Sequence, residues 1–92
     1  MVSDLENNVE RISRLLSFNR IRILELLLND EACVCEMVKV LDIKHNLLSH
    51  HLKSLMDIGY LDAKRNGQHI IYTLVPTKKD FIKDLFKIIN SK

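Results

Sequence analysis

From Leu41 to Leu61 the chain reads Leu-Asp-Ile-Lys-His-Asn-Leu-Leu-Ser-His-His-Leu-Lys-Ser-Leu-Met-Asp-Ile-Gly-Tyr-Leu, and no other stretch restricts the fold as much. Leu48, Leu52 and Leu55 recur at helical spacing with Ser49, His50 and Lys53 on the other side, which predicts an amphipathic helix over about Asn46 to Ile58. Gly59 supplies the left-handed residue that closes it. Next, Tyr60 to Arg65 and Gln68 to Val75 flank Asn66-Gly67, the strongest short signal for a two-residue hairpin turn, with both central residues at positive φ. A polar-edged helix closed by glycine and followed by a hairpin has the layout of a reader helix with a wing.

The flanking segments read as helices. Ser3 with Glu6 forms a capping box ahead of Leu5, Val9, Ile12 and Leu16, predicting a helix over residues 4–16. Ser17 can cap a second helix bearing Ile21, Leu24, Leu27 and Leu28 on one face, stopped by Asn29-Asp30. A third helix is expected from near Asp30 to Leu41. Pro76 ends the hairpin, and Thr77 with Asp80 predicts a capped last helix over about 77–91, whose apolar face of Phe81, Ile82, Leu85, Phe86, Ile88 and Ile89 is unusually wide. The fold class is therefore mainly α with a small β-hairpin, in one winged helix-turn-helix domain over 1–92, with its wing at about 60–75.

With 92 residues, such a domain buries only about 60–65% of its unfolded surface, so a second copy would supply missing core. The net charge of +2 conceals an asymmetry. Residues 1–36 hold four Arg against seven acidic residues, and residues 37–92 hold ten Lys or Arg against five Asp. The basic part carries the reader, which suits a polyanion partner. No apolar run approaches the length needed to cross a bilayer, and the polar, acidic start does not read as a signal peptide, so a soluble cytoplasmic protein without a membrane partner is expected.

In a helix-turn-helix, residues at the leading end of the second helix reach base edges while their neighbours grip phosphates. Those positions here are His45, Asn46, Ser49, His50 and Lys53. Asn can pair with adenine, Ser with several bases, and Lys53 with phosphate or guanine. At the hairpin tip Lys64, Arg65, Gln68 and His69 sit where a wing meets flanking backbone, with Lys64, Arg65 and Gln68 taken as contacts. His51 falls at the edge of the buried face and is read as a packed, hydrogen-bonded histidine.

Cys33 and Cys35 are the only thiols. Placed in the first turn of the third helix, they would have lowered thiol pKa values and select soft ions. Residues i and i+2 point about 200° apart on a regular helix, so one ion could hold both only by unwinding that turn. Structural cysteines are the competing reading. No sheet-and-crossover pattern surrounds the pair, and Ser49 with His51 has no acid partner, which argues against an enzyme. A metal carrier and a winged helix used for protein contacts remain as alternatives.

Taken in order, Leu15-Leu16-Ser-Phe-Asn-Arg20-Ile-Arg-Ile-Leu24, Glu31-Ala-Cys33-Val-Cys35-Glu-Met, and Leu48-Ser49-His-His51-Leu52-Lys53-Ser-Leu55 with Gly59-Tyr-Leu61 resemble the ArsR/SmtB family of metal-responsive repressors over nearly the whole chain. The resemblance implies a winged-helix homodimer paired through its first and last helices. Such a dimer occupies a double-stranded DNA operator, an imperfect inverted repeat with half-sites about 10 bp apart, until an inducer releases it. It implies Cys33 and Cys35 as ligands of a soft metal or metalloid ion (arsenite, cadmium, lead or zinc) that acts as inducer and is not required for folding. It supplies no third ligand: Val38 stands where arsenite-binding relatives often have a cysteine, Met1 to Asn8 contain none, and residues 77–92 contain no histidine. Thiol oxidation and a sensor that no longer senses are the other readings of the pair.

Overall fold

The computed structural model describes residues 17–90. The helix expected over 4–16 lies outside them. The elements are α1 (Phe18–Asn29), β1 (Ala32–Cys33), α2 (Val34–Leu41), α3 (His45–Asp57), β2 (Leu61–Asn66), β3 (His69–Leu74), a 3-10 turn (Pro76–Lys78) and α4 (Lys79–Ile89).

Ser17 starts α1 as the sequence suggests: its hydroxyl accepts from the Arg20 backbone N–H at 3.1 Å. Ile23, Leu24 and Leu27 turn inward. They meet Met37 and Leu41 of α2, Leu48, Leu52 and Leu55 of α3, Leu61 and Leu74 at the base of the hairpin, and Ile82 and Phe86 of α4 in one core. The reader helix is found within a residue of its expected limits. Its end is a Schellman turn, with Gly59 N–H donating to Met56 O at 2.9 Å and Tyr60 N–H to Leu55 O at 3.0 Å, and Gly59 at φ +84°.

Three local expectations are corrected. The third helix begins at Val34, not near Asp30, because Ala32 and Cys33 are extended and pair with Tyr72 and Ile71 of β3, making a three-stranded sheet in the order β1-β3-β2. A two-residue strand carries too little pattern to be legible in sequence. Second, the hairpin register pairs Asn66 with His69, so the loop residues are Gly67 and Gln68. Gly67 at φ +64° takes the strained place and Asn66 continues the strand, as in a II′ turn where only the first loop residue needs positive φ. Third, Thr77 does not cap the last helix. It lies in the 3-10 turn, and α4 starts after Lys78 with no side-chain cap.

Only Leu61 of β2 and Leu74 of β3 are buried, so the hairpin stands out from the body as a wing. On α4, Phe81, Ile88 and Ile89 are exposed among the described residues.

Candidate nucleic-acid interface and thiol site

The reader helix presents its polar side because the opposite one is anchored. Leu48, Leu52 and Leu55 are fully buried, and His51 joins them. Arg20 Nε donates to His51 Nδ1 at 2.9 Å, tying α1 to α3 and satisfying the buried imidazole as a neutral acceptor. Burial holds the His51 pKa below its ordinary value, and the positive charges of Arg20 and then His50 push it the same way. The expectation of a packed, hydrogen-bonded histidine therefore holds, with Arg20 as the partner that sequence reading missed.

His45 and Asn46 occupy the exposed first turn of α3, His50 and Lys53 are exposed further along it, and Ser49 is half-buried between them. Lys44 precedes the helix without a capping hydrogen bond, so the leading amides have no side-chain oxygen from that residue. His50 and Lys53 line one hollow together with Arg20, Ser54 and Asp57. Lys64 and Arg65 stand on β2 and line another with Glu31 and Ile71. His45, Ser49 and Gln68 line a third hollow of about 310 Å³ together with Cys33, Cys35 and His69. Residues of the reader and the wing and both sulfur-bearing residues thus line one open hollow.

Cys33 is not in the helix but caps it: its backbone is extended, at φ −89° and ψ 164°, and its sulfur accepts from the Glu36 N–H at 3.3 Å. Cys35 lies in the first turn. The extended backbone of Cys33 cancels the divergence that a regular helix would impose, so the two sulfurs meet without unwinding the helix, a correction to the geometry expected from sequence. In this structure they are joined as a disulfide, with Cα atoms 5.3 Å apart.

His69, the first residue of β3, brings Nδ1 to 4.0 Å from Cys35 Sγ. One ligand atom from each of Cys33, Cys35 and His69 falls within 4.8 Å of the others. Tetrahedral zinc, with bonds of about 2.0–2.3 Å, spaces its donors about 3.5–3.8 Å apart. Once the sulfurs are reduced, the donors need only small side-chain shifts to fit. Sequence reading placed His69 at the wing tip but not among the ligands. The pairing of Cys33 with Ile71, two residues along the strand from His69, is what brings it there.

Residues 18–63 match the family described as bacterial regulatory protein, arsR family. The chain is 34% identical over 73 residues to the arsenical resistance operon repressor of Staphylococcus xylosus, spanning 79% of this chain and 70% of that protein. It is 36% identical over 73 residues to the cadmium resistance transcriptional regulatory protein CadC of Listeria innocua, where the match covers 78% of this chain and about half, 54%, of the relative. Among solved structures, HlyU from Vibrio cholerae superposes with a TM-score of 0.82 at 26% identity, covering 100% of both chains. Among the described residues no helix is long and apolar enough to cross a membrane.

Proposed function

This chain belongs to the arsR family of bacterial regulatory proteins, and from that premise we propose that it is a cytoplasmic, homodimeric repressor. It holds an imperfect inverted repeat in double-stranded DNA through His45, Asn46, Ser49, His50 and Lys53 of the reader and Lys64, Arg65 and Gln68 of the wing. A soft metal or metalloid ion on Cys33 and Cys35 releases it. The family is one of regulatory proteins, and the site is read as a binding site without catalysis. The observation that carries the reading is the shared cavity: Cys33 and Cys35 line the same space as His45 and Ser49 of the reader and Gln68 of the wing. An occupant of the thiols therefore alters the surface offered to DNA without a long relay, and a ligand that binds one conformer better shifts the equilibrium toward it.

The test is a titration of the reduced protein, bound to its own promoter fragment, with zinc, cadmium, lead and arsenite, beside the Cys33→Ser/Cys35→Ser variant. Release of the wild type alone supports the proposal, and equal behaviour of the two proteins rejects sensing through the thiols. The disulfide favours a second reading, redox sensing, in which a peroxide takes two electrons and two protons from the dithiol to leave the disulfide and water. A peroxide arm in the same titration distinguishes it.

A further inference from the structure

We propose that His69 of the wing is the third protein donor of the thiol site, and that the reduced site is consequently selective for a divalent thiophilic cation such as zinc or cadmium over arsenite. The inference rests on the reading of Cys33 and Cys35 as an ion-binding pair and adds the ion's class and the element it seizes.

The fold brings the donors together from two directions. Cys33 and Cys35 come from the strand-to-helix junction, and His69 from the first position of β3, directly after the Gly67-Gln68 turn. Their ligand atoms fall within 4.8 Å of one another, and Cys35 and His69 are exposed, so an ion has an open approach. Reduction of the Cys33–Cys35 bond by two equivalents of a small thiol gives the dithiol and the oxidised thiol; a divalent cation then displaces two protons as the thiolates form.

The third donor decides the ion. Two thiolates and a neutral imidazole form a mixed sulfur and nitrogen set that suits zinc, with solvent completing the tetrahedron. Arsenite instead condenses with thiols, each As–S bond replacing an As–OH and releasing water. After two such steps its remaining hydroxyl needs a third thiol, and imidazole is no substitute. Arsenite therefore gains nothing from His69, whereas zinc gains a bond. That bond also pins the wing. With the ion in place, the base of the wing turn is tied to the start of α2 in the hollow that His45 and Ser49 also line.

The experiment uses the whole reduced protein, with zinc affinity measured by competition against a chromophoric chelator, arsenite affinity by calorimetry, and zinc–nitrogen coordination by X-ray absorption. His69→Gln is expected to weaken zinc by at least about a hundredfold, because losing a direct donor costs no less than losing a group that supports one, with arsenite affinity unchanged and the nitrogen scatterer lost. His69 is exposed, so folding is not at stake. Unchanged zinc affinity in His69→Gln overturns the third-donor assignment and leaves the two-thiol sensor standing. Unchanged zinc affinity in Cys33→Ser/Cys35→Ser overturns both.

Discussion

Among the described residues, His51 couples stability to pH through its own titration. Its pKa in the folded protein lies below the ordinary 6.5, chiefly through burial and then through Arg20 and His50. Between the folded and unfolded values the unfolded chain binds more protons, so stability rises with pH across that window and is lost as pH falls below 6.5. The urea midpoint of the wild type should therefore drop between about pH 7.5 and about pH 5 by more than that of His51→Gln, which keeps an acceptor but cannot be charged. A parallel pH response in the two proteins would remove His51 as the cause. At neutral pH, Arg20→Ala should cost about 1–3 kcal/mol by leaving the buried Nδ1 without its donor, read as a lower urea midpoint. On the reader's outer side, Ser49→Ala and His50→Ala should each weaken operator binding by about 1–3 kcal/mol and leave the melting temperature nearly unchanged, and normal binding by both would reject the proposed reader.

At the scale of elements, the reader helix and its stop were legible because three signals agree: leucines at helical spacing, a polar opposite face and a glycine where positive φ is required. Gly59→Ala forces a Cβ onto φ +84° and should lower stability by about 1 kcal/mol, although open space surrounds the position, so strain and not collision is the cause. The wing was legible as a hairpin but not in its register. Asn66 and Gly67 both tolerate positive φ, and the choice between them follows from the ladder that pairs Leu61 with Leu74 and ends at Asn66 with His69. Arg65 on that ladder is exposed. Arg65→Ala should weaken binding to all duplexes alike and reduce the steepness of the salt dependence by about one unit, whereas a sequence-selective loss would assign Arg65 to base contact.

For the molecule as a whole, α4 buries Ile82 and Phe86 but leaves Phe81, Ile88 and Ile89 exposed, with Ile88 72% accessible. Apolar surface of this kind on a small domain suits pairing of two copies, consistent with the proposed homodimer. Ile88→Glu should shift the protein toward monomer in sedimentation and weaken operator binding by losing the second half-site, with the fold of each copy kept. A dimer that persists in this variant would place the pairing surface elsewhere.

The sequence by itself determined what depends on neighbours along the chain: that the segments after Ser17, before Gly59 and after Pro76 are helical, where a glycine must end one, and which side of the reader stays polar. It also displayed both cysteines, but not their geometry. Whether Cys33 and Cys35 diverge or converge depends on one residue being extended, and that follows from pairing with a strand 38 residues away, Cys33 against Ile71. The same pairing carries His69 to the sulfurs and sets reader, wing and sulfur around one open hollow. Such proximity arises only when the backbone hydrogen bonds of distant segments are satisfied together, and no local pattern records it.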